Sequence, residues 1–307
     1  MRILALGLAA LVLTGARLPG LTVIRVDPLT VTGDDDFARH RDPADWQGLT
    51  VHRIDFSEER ETWRLWKIED RSRPNGPLWF VPHDNENAGF EAALVELHKY
   101  GGTLIAVDSG GVRMNHNVTM GPPIDPNRNF NDGLPGYPSQ VLAALNHGAW
   151  PIIALHTNQR GYDPSTSTCP HPEDVPGEGV ISIRYCDAVL HPSPSQGRAY
   201  PFDNDDTVAF ATYNASARPE DAFCDRQMMA ADFNVVHERV VDSDGSLSNY
   251  AVLHHLSYLN FETEDLGMEP DKLAATRDRL VWMVDHAIAM CATPAQRPTV
   301  LPKLIFR

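Results

Sequence analysis

Apolar residues along this chain fall into short dense runs separated by polar and turn-forming stretches. Leu78-Trp-Phe-Val-Pro82, Thr103-Leu-Ile-Ala-Val107 and Pro151-Ile-Ile-Ala-Leu155 have the length and composition of buried strands. Between them, the stretch from Gly89 to Tyr100 and Ser139-Gln-Val-Leu-Ala-Ala-Leu-Asn146 carry the apolar spacing of helices. Upstream, Thr22 to Glu69 reads as strands and turns, with alternation clearest in Thr62-Trp-Arg-Leu-Trp-Lys-Ile68. Strands alternating with helices predict an α/β fold whose sheet is parallel or mixed and covered by helices.

The segment from Asn158 to Asp206 breaks this rhythm. It is rich in Pro, Ser, Asp and Gly, most of all in Tyr162-Asp-Pro-Ser-Thr-Ser-Thr-Cys-Pro-His-Pro172, and reads as a loop-rich insertion. Strand patterns resume at Thr207-Val-Ala-Phe-Ala-Thr-Tyr213, Asn234-Val-Val-His-Glu-Arg-Val-Val241 and Ser257-Tyr-Leu-Asn-Phe261, and a final helix is predicted from Pro270 to Met290. No internal repeat divides the chain, so residues 17–307 are expected to form a single catalytic domain with the insertion at 158–206.

Charge and termini narrow the class. A net charge of −15 without a basic cluster argues against nucleic acid and against an anionic membrane surface as partners. Met1-Arg2, the apolar run Ile3 to Leu13 and the small residues Thr14-Gly-Ala16 have the three regions of a secretory signal, placing residues 1–16 as a signal peptide and the protein in a secreted or periplasmic compartment. That run is too short to span a bilayer, so no stable membrane insertion is expected. The four cysteines, Cys169, Cys186, Cys224 and Cys291, lack Cys-x-x-Cys spacing and suit two disulfides in an exported protein; Cys169 with Cys186 closes the shortest loop among the possible pairings.

Three segments concentrate the chemistry. His83 and Glu86, in His-Asp-Asn-Glu, stand where an apolar run gives way to a helix, and a two-residue gap lets imidazole and carboxylate converge on one ion. His156 ends a second apolar run and would be a third metal ligand, leaving a position open for water as in catalytic zinc. Glu262 follows a third run, in Tyr-Leu-Asn-Phe-Glu. In Asp125-Pro-Asn-Arg-Asn-Phe130, Asn127 and Arg128 could hold a substrate carboxylate by charge-assisted bonds, and Arg113, after a Gly-Gly turn, could polarise a scissile carbonyl. Elsewhere the simpler readings prevail. His254-His255 point in different directions, His171 and His191 precede prolines in the insertion, and Asp203 to Asp206 is an acidic turn rather than a calcium loop.

The order His-x-x-Glu, Asp-x-Asn-Arg-Asn-Phe, Leu-His and aromatic-Glu resembles the zinc carboxypeptidase family and its aspartoacylase and succinylglutamate desuccinylase relatives, over Leu78 to Gly267. The resemblance implies a single-domain mixed, mostly parallel eight-stranded sheet with helices on both faces. It implies one zinc ion held by His83, Glu86 and His156, a carboxylate bound by Asn127 and Arg128, and Glu262, rather than Glu264, as catalytic acid and base. Zinc carboxypeptidases also carry a Tyr upstream of that Glu, where this chain reads Val240-Val-Asp-Ser-Asp-Gly-Ser246. This departure, with the short interval between Glu86 and His156, shifts weight toward compact bacterial or deacylase-like branches. The expected activity is a metallocarboxypeptidase acting on peptides, including cell-wall peptides. An N-acyl amino acid deacylase is the first alternative and a catalytically inactive peptide-binding relative the second.

Overall fold

In a computed structural model, which describes residues 18–145, 150–158, 199–203 and 206–291, nine strands form one sheet in the order β1-β2-β3-β5-β4-β6-β9-β7-β8. The strands are β1 Thr22–Val26, β2 Leu49–Glu58, β3 Glu61–Asp70, β4 Leu78–Val81, β5 Gly102–Val107, β6 Ile152–Asn158, β7 Val208–Asn214, β8 Val235–Val240 and β9 Tyr258–Glu264. The helices are α1 Asp35–Arg39, α2 Asn87–Tyr100, α3 Gly136–Val141, α4 Asp225–Ala230, α5 Leu247–Leu253 and α6 Pro270–Cys291.

The apolar runs read as strands are β4, β5 and β6, and every residue of all three is buried. They pair in parallel, β5 with β4 and β4 with β6, and β6 with β9 extends the parallel block. The expectation of eight strands in a mostly parallel sheet needs correction. Antiparallel pairs (β1/β2, β2/β3, β3/β5, β9/β7) equal the parallel ones in number and include the longest ladder, β2 with β3. Its cause is local: β2 and β3 are joined by a tight turn at Glu59 (φ 49°), and strands joined so closely run antiparallel. The N-terminal segment thus adds three strands to the edge of the same sheet instead of forming a separate cap.

Two apolar layers cover the sheet. On one face Trp66, Trp79, Leu155, Leu259 and Phe261 pack with Phe90, Leu94 and Leu97 of α2 and Leu280, Met283 and Val284 of α6. On the other, Trp63, Phe80, Ile152, Ala154 and Tyr258 pack with Tyr137 and Val141 of α3 and Leu247 and Ala251 of α5. A disulfide joins Cys224, before α4, to Cys291, at the end of α6; Cys169 and Cys186 lie outside the described residues, as do residues 1–16 and most of the 158–206 insertion. Among the described residues no helix is long and apolar enough to cross a membrane.

Candidate metal centre

Chain direction changes side at β4. The path from β4 through α2 returns to β5 on one flank, whereas β6 joins the opposite flank. In open α/β sheets such a switch point leaves a crevice beyond the carboxyl ends of the strands, where ligands bind. His83 and Glu86 stand in the turn between β4 and α2, and His156 and Glu262 are register partners on β6 and β9. Gly89 makes the approach of α2 possible: a Cβ there would meet the Leu155 carbonyl oxygen at 3.0 Å.

His83, Glu86 and His156 are all buried, and one donor atom from each lies within 4.8 Å of the others. Both imidazoles turn Nδ1 toward Glu86, His83 to Oε1 at 2.7 Å and His156 to Oε2 at 3.0 Å. Glu86 occupies the N-cap of α2 without capping it; its Oε2 also accepts from the Thr157 backbone N–H at 3.1 Å. Burial opposes the charge of Glu86, but the two histidines outweigh it and hold the carboxyl below the usual range. For His156 burial prevails over Glu86 and lowers its pKa, which favours the neutral, ligating form. Burial also opposes the charge of His83, yet Glu86 and Asp125 raise its pKa. Two imidazole nitrogens and an ionised carboxylate converging in a buried turn fit a transition-metal dication.

Asp125 is the residue that motif reading left without a role. Its Oδ1 bonds His83 Nε2 at 2.8 Å and accepts from the Asn127 backbone N–H at 2.8 Å, capping the short 3-10 turn Pro126–Arg128. A carboxylate on the outer nitrogen of a ligating histidine fixes its tautomer and ring orientation. The Asp-Pro step was the available signal, since Asp before Pro marks a turn start. Asp84 is the other unforeseen carboxylate: its Oδ2 accepts from the N–H groups of Ser109 and Gly111, both at 2.7 Å, and so fixes the loop that carries Arg113.

Arg113 is part of the cluster, not a solvated surface group. Its Nη1 donates to Glu86 Oε1 at 2.7 Å and its Nη2 to Asp125 Oδ2 at 3.2 Å. Asn127 and Arg128 lie on the same loop. Asn127 Oδ1 accepts from the Leu247 N–H at 3.0 Å, and Arg128 pairs through Nε with Asp244 at 3.3 Å. The loop is clasped to the turn before α5 by the Phe130 N–H on the Gly245 carbonyl at 2.8 Å. Gly245 (φ +85°) must be glycine here, since a Cβ would lie 2.5 Å from the Arg128 oxygen.

Glu262 is buried beside this cluster, and among the described residues its oxygens receive only long contacts, from Asn158 Nδ2 at 3.4 Å and Asn260 Nδ2 at 3.5 Å. Burial, reinforced by the charge of Glu86, pushes its pKa up to about 8. Such a carboxyl can exchange a proton near neutrality, and a dication at the neighbouring cluster would favour its ionised form. Period-2 spacing puts Asn260 and Glu262 on one face of β9. The remaining candidates stay apart: His254 pairs with Asp132 at 3.0 Å, Asp203 with Arg279 at 2.5 Å, and His171 and His191 lie outside the described residues.

No protein-family profile and no curated protein matches the chain. Solved structures to which it is similar include the succinylglutamate desuccinylase of Chromobacterium violaceum, at 11% identity and TM-score 0.39, covering 78% of this chain and 69% of that one. The product-bound cell shape determinant protein Csd4 of Helicobacter pylori is another, at 15% identity and TM-score 0.38, with 75% and 55% covered. A provisionally named metallopeptidase of Shewanella denitrificans has 13% identity and TM-score 0.41, with 91% and 99% covered. Identities and TM-scores this low leave the functional reading to the site itself.

Proposed function

We propose that this chain is a zinc-dependent metallocarboxypeptidase that hydrolyses an amide bond near a substrate carboxylate. The observation that carries the reading is the closed donor set His83, Glu86 and His156 with Glu262 in register beside it. Nitrogen donors favour zinc over magnesium or calcium, which take oxygen ligands. A zinc ion held there supplies Lewis-acid polarisation of the scissile carbonyl and acidifies a water.

The protein's own groups do the rest. Glu262 takes a proton from the attacking water and returns it to the leaving nitrogen, and its raised pKa suits both transfers. Arg113 donates to the oxygen on which charge develops, and Asn127 and Arg128 hold the substrate carboxylate. Asp125 keeps the His83 ring in the tautomer that leaves Nδ1 free to ligate. If the N-terminal run directs export to a periplasm, cell-wall stem peptides are the most available substrates. The absence of Tyr from Val240 to Ser246 favours, as a second reading, the same chemistry on N-acyl amino acids.

Metal analysis of the purified protein beside His83→Ala tests the site, with near one equivalent of zinc expected in the parent and loss in the variant. Mass spectrometry of muropeptides and of small acyl amino acids after incubation then tests the reaction. Unchanged substrates at stoichiometric zinc-loaded protein would sink both catalytic readings and leave a peptide-binding relative.

A further inference from the structure

Asp84 stands between the metal-ligand candidates His83 and Glu86, yet its carboxylate is bound to a different segment. It is buried, and its Oδ2 accepts from the backbone N–H groups of Ser109 and Gly111, both at 2.7 Å. β4 and β5 run in parallel, with Val81 beside Ala106, so the turn after β4 and the loop after β5 leave the sheet at the same end. Asp84 therefore ties the metal-ligand turn to the loop that carries Arg113.

The conformation of that loop suits a carboxylate. Gly110 and Gly111 have φ of +78° and +77°, and the Gly110 N–H donates to Asp108 Oδ1 at 3.2 Å, so three successive backbone N–H groups are turned onto two carboxylates. Turns of this kind gather N–H groups into a concave anion site, and Asp84 is the anion that fills it. Past this point little else holds the chain. Among the described residues the backbone of Val112, Arg113 and Met114 makes no hydrogen bond, and the next anchor is Asn115 on Ile124. Val112 and the Arg113 side chain are both 41% exposed, so packing does not place them either. Gly111 and Asn115, two residues to either side, are the fixed points of Arg113, and Asp84 supplies the first. From there the guanidinium spans Glu86 Oε1 at 2.7 Å and Asp125 Oδ2 at 3.2 Å.

We propose that Asp84 is the positioning residue of Arg113, holding its guanidinium where it meets a substrate oxygen at the metal centre. Asp84 acts through the Ser109 and Gly111 N–H groups and not on the substrate. The assignment rests on the hydrolase reading, which gives Arg113 its contact with the developing charge. A displacement of such a group by about 1 Å costs on the order of 100-fold in rate. Because the contact strengthens in the transition state, the loss falls on kcat and leaves KM in place.

Zinc-loaded parent, Asp84→Asn, Arg113→Ala and the double variant are compared on the muropeptide or acyl amino acid that the parent cleaves. Asp84→Asn keeps the size of the side chain and removes the charge from both bonds. Its kcat should fall on the order of 10 to 100-fold with KM within about two-fold and zinc content unchanged. In the double variant the loss should be no larger than in Arg113→Ala alone. Should Asp84→Asn not fold, Gly111→Ala strains the loop without touching the metal-ligand turn and should give the same loss in kcat. An unchanged kcat, losses that multiply in the double variant, or zinc lost together with turnover overturns the proposal. If the parent cleaves nothing, the hydrolase reading falls and Arg113 is read directly by NMR of zinc-loaded protein carrying isotope-labelled arginine, its signals identified by their loss in Arg113→Lys. Separate Nη hydrogens in the parent that merge into one averaged signal in Asp84→Asn uphold the positioning role, and identical spectra overturn it.

Discussion

Glu86 and Glu96 lie about three turns apart along α2, both almost wholly buried, at 3% and 0% exposure, yet their surroundings drive them in opposite directions. Glu86 receives His83 and Arg113 on one oxygen and His156 and the Thr157 N–H on the other. Glu96 receives Lys99 on one oxygen and, among the described residues, no donor on the other, and it shares that lysine with Asp285. Burial pushes both toward the neutral acid. Around Glu86 the histidines outweigh it, whereas at Glu96 the Asp285 charge adds to it and the pKa rises to about 8. Burial alone therefore does not mark a metal ligand; the sign and number of the groups it is buried among do.

The comparison breaks most sharply at Glu86. Glu86→Gln removes the only anionic donor of the cluster, and zinc content should fall to background with kcat/KM down on the order of 10⁴-fold or more. Full activity with stoichiometric zinc would show that Glu86 is merely another buried acid. Glu262→Gln asks the complementary question. Turnover should drop between about 10² and 10⁴-fold while elemental analysis still finds the metal, the pattern of a lost general base. A variant that loses metal and turnover together would make Glu262 a structural neighbour.

Asp125 sharpens the contrast from outside the donor set. Asp125→Asn keeps the size of the side chain and weakens its hold on His83 Nε2, so chelator competition should register a loss of about 10 to 100-fold in metal affinity. No change would place Asp125 with the turn it caps rather than with the metal.

Legibility in the sequence followed the kind of interaction. β4, β5 and β6 were readable because strands buried on both faces leave uninterrupted apolar runs, and His83, Glu86, His156 and Glu262, which follow or end such runs, are brought to one place by the sheet. The edge strands were not, because Thr22 to Glu69 shows its strands without showing which sheet they join; only the β3/β5 pairing settles that. Asp125 and Asp84 escaped for another reason. Each acquires its place from partners far away in the chain, His83 for Asp125 and the Ser109 and Gly111 N–H groups for Asp84, and no local pattern encodes such a meeting. Glu96 lies on the same helix as Glu86, and the Asp285 charge that turns it the other way is brought in by α6 from far along the chain.

The smallest predicted effect tests that last distinction through pH. Glu96 has a folded-state pKa of about 8 against an ordinary value of 4.5, so across that interval the folded protein keeps a proton that the unfolded chain has released. Stability from this group is complete below the ordinary value, falls as pH rises through the interval and is flat above it. Glu96→Gln is neutral throughout and lacks this decline. Lys99 keeps Asp285 as a partner and Asp285 keeps the Tyr100 hydroxyl at 2.7 Å, so the variant should retain the contact between α2 and α6. Urea unfolding at pH 5 and pH 9 should therefore show the variant gaining about 1 to 2 kcal/mol on the parent at the higher pH. Reading the difference between the two proteins cancels the pH dependence of metal binding, which both share. A gap that stays constant between the two pH values would mean that Lys99 holds Glu96 ionised, and the opposition between the two glutamates of α2 would disappear.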